Sequence, residues 1–243
     1  MATSKSPAFE HPLLGVGLYS VVDVAHILRE RPRRMSRWVR GYEYLTTQGK
    51  VGQRPYFERD FADFEQKVVL SFADLIELRF IQMFRQKGVR PQTIRLIHDA
   101  LSQRYEVTHP FSVRRVRTDG RTLYEVIHSD KDDKRTCEDL LTSQMVFTEL
   151  AEDFFLKLEY EGDRELAARY WPLGRSKKVV VDPERSFGKP IEDVSGVPTY
   201  VIYGMHKAGE TVADIADWYD VSEEGVADAI AYETERLPLP KAA

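Results

Sequence analysis

The sequence lacks several features that mark common classes of protein. Among its 243 residues there is no asparagine and a single cysteine, Cys137, so no disulfide can form within the chain. No apolar run approaches the roughly 18 residues that a membrane-spanning helix needs. Residues 1–12 lack the apolar core and cleavage pattern of a secretory signal. We therefore predict a cytoplasmic protein that does not enter a membrane.

Signatures of catalysis and of metal or cofactor binding are also missing. The six histidines show no metal-ligand spacing, and the HExxH, GxSxG and Walker motifs are absent. Gly15-Val16-Gly17 lacks the third glycine of a dinucleotide-binding loop, and we interpret Cys137 as an incidental thiol. We predict no catalytic site, no cofactor and no metal. A nucleic-acid enzyme is the least favoured hypothesis, because no cluster of carboxylates or nucleophiles is found.

Charge is distributed unevenly along the chain. Residues 29–59 hold nine Lys or Arg and three acids, a net charge of +6. Residues 190–243 hold three bases and eleven acids, a net charge of −8. One end of the chain can therefore approach an anionic polymer and the other cannot. Because asparagine is absent, arginine with guanine is the bidentate pair available for reading DNA bases, and asparagine with adenine is not.

Two short helices are predicted in the basic part of the chain. Ser20 and Asp23 have the spacing of a capping box at the start of a helix over residues 20–28. Pro32 suits the first position of a second helix, over residues 32–41. In that helix the apolar residues share one face, and arginines lie on the opposite side. A capped helix joined by a tight turn to a basic one is typical of a helix-turn-helix.

The segment that follows is predicted to form two strands, a wing, with a turn at residues 48–50. We expect some side chains of the second helix to enter the major groove of DNA: Arg34, Ser36 and Arg37. Others, on this helix and on the wing, are expected to hold phosphates: Arg33, Arg40, Lys50 and Arg54. The alternative is a merely solvated charged face, which is common; the charge of one sign, its place on the second helix and the adjacent wing favour DNA binding.

The rest of the chain gives weaker patterns. Two further helices are predicted, one capped by Ser71 and Asp74 and ending near Gly88, the other over residues 91–105. A β-hairpin is predicted over residues 111–127, a long helix over 140–160 and a buried strand over 179–181. Near the end, a helix starting at residues 209–211 and a second one capped by Ser222 form another turn-linked pair.

The second pair is acidic, which argues against contact with phosphates. We expect it to serve self-association or partner binding, with Trp218 and Tyr219 as contact aromatics. The alternative is that both aromatic rings simply complete the core of the pair.

Several segments resemble known families. The stretches at residues 19–25, 35–39, 70–81 and 88–95 resemble the DNA-binding domain of MerR-type regulators in the same order. That family usually continues into a long dimerising helix, whereas a hairpin is predicted here, so MerR-type effector binding is not implied. Segments within residues 181–235, including Phe187-Gly188-Lys189-Pro190, resemble domain-of-unknown-function family 433. The Gly-Thr-Arg triplet of that family is replaced by Gly196-Val197-Pro198-Thr199.

The two halves together resemble the larger VapB-type antitoxins. The resemblance implies an antitoxin that represses its own operon and neutralises a PIN-type ribonuclease toxin. It also implies that a cation of the tail, Arg236 or Lys241, could occupy the acidic site of the toxin. The second hypothesis is a stand-alone dimeric transcriptional regulator without a toxin partner. Operator DNA and a second copy of the chain are expected partners in both, because one short helix reads too few base pairs.

The predicted fold class is mainly α with small β elements (α+β). We expect a tail at residues 1–17 and a MerR-like winged helix-turn-helix domain at 18–107. A linking and dimerisation region at 108–178 and a C-terminal helical module at 179–236 follow, with a tail at 237–243.

Overall fold

The computed structural model describes residues 16–47, 49–114, 153–161 and 165–235. The fold is mainly helical with small antiparallel sheets, which confirms the predicted fold class. The helices of the described ranges are α1 (Val21–Ile27), α2 (Pro32–Arg40), α3 (Phe72–Gln86), α4 (Pro91–Tyr105), α5 (Thr199–Ala208), α6 (Val212–Tyr219) and α7 (Glu223–Thr234). The strands are β1 (Tyr19–Ser20), β2 (Tyr42–Thr46), β3 (Gly49–Gln53), β4 (Val69–Leu70), β5 (Leu158–Glu159), β6 (Arg169–Tyr170), β7 (Val179–Val181) and β8 (Pro190–Glu192).

The helix starts predicted in the first hundred residues are confirmed. At the start of α1 the Ser20 hydroxyl accepts from the Asp23 amide, and the Ser20 amide donates to the Asp23 carboxylate at 2.8 Å. Ser71 and Asp74 form the same reciprocal pair at the start of α3. These bonds satisfy amides that have no partner within the helix, and because each pair spans four residues, local sequence determines it.

Two pairs of strands form near the N-terminus, one between neighbours in the chain and one between strands that are far apart in the sequence. β2 and β3 form a two-stranded hairpin in which Tyr42 pairs with Gln53 and Thr46 with Gly49. The predicted wing therefore exists, but its return strand already begins at Gly49, inside the predicted turn. β1 pairs with β4, which ties the start of α1 to the start of α3.

A large apolar core lies beneath these elements. Phe80 and Phe84 of α3 stack with ring centroids 4.4 Å apart, and Phe111 stacks on Phe80. The core continues without a break into Phe154, which packs edge-on against Phe80. The first four helices and the segment at residues 153–181 thus share one hydrophobic interior.

Two predictions in the middle of the chain are wrong where the structure describes them. Pro110–Ser112 forms a 3₁₀ turn, not the start of a hairpin strand; residues 115–127 of that predicted hairpin lie outside the described residues. The predicted helix over 140–160 is helical at 153–156, but Leu158–Glu159 is strand β5 because it pairs with β6. Residues 140–152 lie outside the described residues. Leu158 is nevertheless buried, so the apolar pattern of this segment reflects burial and does not distinguish strand from helix.

The antiparallel sheet β5-β6-β7-β8 links the large core to the C-terminal helices. The buried strand predicted at 179–181 is confirmed as β7. The C-terminal helical unit (residues 199–235) comprises α5, α6 and α7 around its own small core of Ile202, Ile215 and Val226. Helix α5 was not predicted, so the expected pair of helices is a set of three.

The end of α7 contacts the turn between α1 and α2. Arg29, whose left-handed backbone makes that turn (φ 53°), forms an ion pair with Glu235 and donates to the Tyr232 carbonyl at 3.3 Å. His26 of α1 lies 3.3 Å from the buried Glu233 carboxylate. Over the described residues, no helix has both the length and the apolar character needed to cross a bilayer.

Candidate nucleic-acid interface

Helix α2 separates apolar and basic side chains as the sequence predicts. Met35, Trp38 and Val39 are buried against α1 and the core. Pro32 begins the helix, where its missing N–H leaves no hydrogen bond unmade. The four arginines on the other side are exposed, and Ser36 is half-buried. The basic surface is therefore open to solvent, as an approach by DNA requires.

The four arginines differ in how firmly the protein holds them. Among the described residues Arg33 has no ion pair or hydrogen bond, and Arg37 lies over the Tyr42 ring, 5.2 Å from its centroid. Arg34 donates to the Glu30 carboxylate at 2.9 Å. Arg40 donates to the Asp63 carboxylate at 2.9 Å and to a backbone carbonyl at 2.8 Å. Arg33 and Arg37 are the most available for a ligand, and Arg40 is the least.

The hairpin adds two exposed cations beside α2. The Lys50 ammonium lies 3.6 Å from the Glu43 carboxylate, and its side chain is 72% exposed. The Arg54 guanidinium pairs with Asp99 of α4 and remains 59% exposed. Both side chains lie within weak surface ion pairs, which phosphates can replace at little cost.

The amino end of α4 is a part of this surface that sequence analysis missed. A groove of about 700 Å³ lies between the end of β3 and the start of α4, lined by Gly52, Gln53, Arg54, Arg90, Gln92, Thr93, Arg95 and Leu96. Arg90 precedes the helix and gives its first amides no side-chain cap. Uncapped amides at a helix start favour anions. The signal was present in the sequence as Arg90-Pro91 at a predicted helix start.

A second cavity, of about 300 Å³, lies between α2, the hairpin and the end of α3. Its lining includes several arginines, two tyrosines and the acid Glu30. The lining residues are Glu30, Arg34, Arg37, Trp38, Tyr42, Tyr56, Gln82, Arg85, Gln86, Pro91 and Arg95. With the groove at α4, it makes the basic character of this face continuous.

A buried polar cluster centred on His109 lies in the N-terminal core. The Nε2–H of His109 donates to the Asp74 carboxylate at 2.9 Å, and the other ring nitrogen lies 3.6 Å from the Asp60 carboxylate. Burial lowers the pKa of His109, but the hydrogen bond with Asp74 and the charges of Glu77 and Asp60 outweigh burial, so the pKa is raised above 6.5. Asp74 already caps α3 with its other oxygen. The cluster therefore joins the start of α3 to the 3₁₀ turn that follows α4.

In the C-terminal helical unit the two predicted contact aromatics separate. Trp218 is 56% exposed at the end of α6. Tyr219 is half-buried and packs against the core of the unit. Tyr219 therefore helps to complete the core of the unit, whereas Trp218 is open to solvent. Arg236 and Lys241 lie outside the described residues.

The fold is similar to that of a solved protein structure. The crystal structure of Rv2018 from Mycobacterium tuberculosis aligns with a TM-score of 0.65 and 23% sequence identity, covering 89% of this chain and 99% of that chain. The fold is therefore that of the Rv2018 structure.

Sequence comparison gives two further similarities. Residues 179–232 match the family DUF433, described as "Protein of unknown function". Over 226 residues the chain is 26% identical to the "Putative antitoxin VapB45" of Mycobacterium tuberculosis, covering 88% of this chain and 93% of that protein. The chain is thus similar to an antitoxin over most of its length.

Proposed function

We propose that this protein is a DNA-binding antitoxin that represses its own operon and neutralises a PIN-type ribonuclease toxin. The DNA-binding half depends on one observation: the arginine face of α2 is exposed beside an exposed hairpin and an uncapped helix start. Arg34, Ser36 and Arg37 contact base edges. Arg33, Arg40, Lys50 and Arg54 contact phosphates, joined by Arg90 at the start of α4.

The contacts are not expected to be equal. Arg33 and Arg37 reach DNA without breaking an ion pair, whereas Arg40 must leave Asp63 or contact a phosphate with its remaining donors. Each base-reading arginine contributes roughly 1–3 kcal/mol to specific binding. The surface is consistent with an interface in which the middle of α2 reads bases and its margins hold the backbone.

A DNA-binding assay tests this half. Fluorescence anisotropy with the DNA upstream of the protein's own gene should give tight binding for the wild type. Arg34→Ala and Arg37→Ala should each weaken binding by about 5- to 150-fold. Trp218→Ala, on the other exposed surface, is the control and should bind as the wild type does. Intact binding by both arginine variants would refute the assignment of α2.

A second copy of the chain is part of the proposal. One α2 covers a few base pairs, and a two-fold dimer places a second α2 about 34 Å away, on the next half-site of a palindrome. One chain has a mass of 28.1 kDa, and light scattering should give twice that mass for the protein both with and without DNA. A monomer that binds its operator with full affinity would contradict this step.

The toxin-binding half is supported by the similarity to VapB45 and by the exposure of Trp218. Large exposed aromatic rings are typical centres of protein interfaces. In the proposed complex Trp218 contacts the toxin, and Arg236 or Lys241 of the tail enters its acidic metal site.

Co-expression with a PIN-like protein from an adjacent reading frame tests this half. The two proteins should co-purify, and the antitoxin should restore growth. Trp218→Ala should weaken the complex, and Arg236→Ala with Lys241→Ala should restore ribonuclease activity in it. Operator binding without any such partner would favour the stand-alone dimeric regulator.

A further inference from the structure

A buried guanidinium lies beneath the hairpin, and its hydrogen bonds within the described residues go to neutral oxygens. Arg95, on the second turn of α4, is 6% exposed. Its Nη2 donates to the Arg54 carbonyl at 2.8 Å, its Nε to the Pro55 carbonyl at 3.2 Å, and its Nη1 to the Gln53 side-chain oxygen at 3.4 Å. The rigid fork of one side chain therefore holds three successive residues, where strand β3 leaves the hairpin.

The same guanidinium connects α4 to α2 through an aromatic ring. It lies over the Tyr56 ring, 4.4 Å from the centroid. Tyr56 packs edge-on against Trp38 of α2 at 5.9 Å, and its amide donates to the Trp38 carbonyl at 3.0 Å. The contacts run without interruption from α4 through the hairpin exit to the helix that carries the exposed arginines.

Within the described residues, no ion pair offsets the burial of the Arg95 charge. Within the described ranges no carboxylate forms an ion pair with it, and Asp99, one turn along α4, is held by Arg54. Burial lowers the pKa of Arg95. A buried cation without an acidic partner costs free energy that an apolar side chain would not. An apolar side chain, however, could not donate hydrogen bonds to the three oxygens of the hairpin exit.

We propose that Arg95 is a positioning residue for the DNA interface, which fixes the β2–β3 hairpin relative to α2 without touching nucleic acid. This rests on the proposed DNA binding. Arg95 holds the hairpin exit directly, and it holds α2 through Tyr56 and Trp38. The hairpin cations then stand at a fixed distance from the arginines of α2, which a rigid duplex requires of groups that bind it together.

The test is Arg95→Lys, which keeps the charge and removes the fork, with Arg79→Lys as the matched control. Arg79 is a half-buried arginine of α3 that donates to the Gln82 side chain and does not contact the hairpin. Hydrogen exchange at the amides of β2 and β3 should be faster in Arg95→Lys and unchanged in Arg79→Lys. Gln53→Ala removes one acceptor and is the milder variant; it should speed the same amides by less.

DNA affinity supplies the second readout. Arg95→Lys should weaken operator binding by about tenfold, which is in the range for one lost base contact. The slope of log affinity against log salt should decrease by up to about 1.8, because the hairpin cations Lys50 and Arg54 lose their fixed positions over the phosphates. Arg33→Ala should reduce that slope by about 0.9 and leave hairpin exchange unchanged.

Each other result overturns the proposal. Weaker binding with an unchanged salt slope in Arg95→Lys would mean that the hairpin cations keep their phosphate contacts without the fork. Unchanged hairpin exchange would mean that the hairpin does not depend on the fork. If the wild type bound no DNA, the proposed function would fail, while the exchange measurement would still decide whether Arg95 holds the hairpin.

Discussion

The described part of the chain contains two helix-turn-helix units with the same backbone design and opposite surface charge. In the first, Ser20 caps α1, Arg29 is left-handed, and the Glu30 amide donates to the Ala25 carbonyl at 2.8 Å. In the second, Thr211 caps α6, Asp220 is left-handed, and the Val221 amide donates to the Ala216 carbonyl at 3.0 Å. Each landmark lies at the same distance along the chain from its cap.

The surfaces of the two units differ completely. The second helix of the first unit exposes four arginines, whereas α7 begins with Glu223 and Glu224 and carries no lysine or arginine through Thr234. The same backbone geometry can thus face a polyanion or repel it. Helix-turn-helix geometry alone does not indicate DNA binding; the charge on the second helix decides between the two roles.

Reversing the charge of α2 should have the largest effect on the difference between the two units. Arg33→Glu with Arg37→Glu should lower operator affinity by about 1000-fold or more, because two contacts are lost and two repulsions added. The free energy of unfolding should change by less than about 0.5 kcal/mol, since both side chains are exposed. Glu223→Lys with Glu224→Lys is the matched control and should leave operator binding intact. Equal losses in both double variants would show that net charge, not the surface of α2, controls binding.

Alanine in place of a glycine should lower the free energy of unfolding more in the first unit than in the second. Gly41 has φ 74° and ψ −175°, and a Cβ there would lie 2.3 Å from the Gln53 carbonyl. Gly209, between α5 and α6, has φ 105° and open space around it. Gly41→Ala should therefore lower the free energy of unfolding by about 2–3 kcal/mol, and Gly209→Ala by about 1 kcal/mol. Urea denaturation measures both; similar losses would mean that the clash with the hairpin is relieved by a small backbone shift.

The capping residues should behave alike in the two units. Ser20→Ala and Thr211→Ala each remove one side-chain acceptor from an Asp amide, so each should cost about 1 kcal/mol of folding free energy. Ser20→Thr and Thr211→Ser serve as controls and should retain most of the stability. A large difference between the two alanine variants would show that the shared geometry hides unequal packing.

His109 in the N-terminal core should make the stability of the protein depend on pH. The folded-state pKa of His109 is raised, so protonated His109 stabilises the fold below the unfolded value of about 6.5. That stabilisation is lost as pH rises through the folded pKa. Denaturation from pH 6 upward should show a decline that His109→Gln removes and that substitution of the exposed His206 leaves in place. A decline that persists in His109→Gln would assign the effect to another group.

Local signals predicted much of the first hundred residues and less of the rest. The capping boxes at Ser20 and Ser71 and the proline at the start of α4 are complete within four residues, so the sequence predicts them without tertiary knowledge. Helix α5 has no capping side chain, and its buried residues within the described structure are Thr199 and Ile202. The apolar and aromatic residues at 200–203 are consecutive, and such a short run does not distinguish a helix from a buried strand.

Pairings across long distances were not predictable. Strands β5 and β6 are two residues long, too short for an alternating pattern, and the contacts of β6 with β7 decide their structure. At the candidate interface the sequence places the arginines of α2, but not their partners. Arg54 meets Asp99 and Arg95 meets the carbonyl oxygens of the hairpin exit only after folding, over about forty residues of chain.

The contacts of Arg29 with the end of α7 matter for any experiment that adds residues to the C-terminus or binds a partner there. The turn before α2 and the last described residue, Glu235, share an ion pair. Whatever displaces Glu235 alters the contacts of that turn, and by reciprocity a duplex that reshapes the turn alters how readily Glu235 is displaced. A C-terminal purification tag that disturbs Glu235 would therefore also disturb the turn before α2, and affinities measured with and without the tag should be compared.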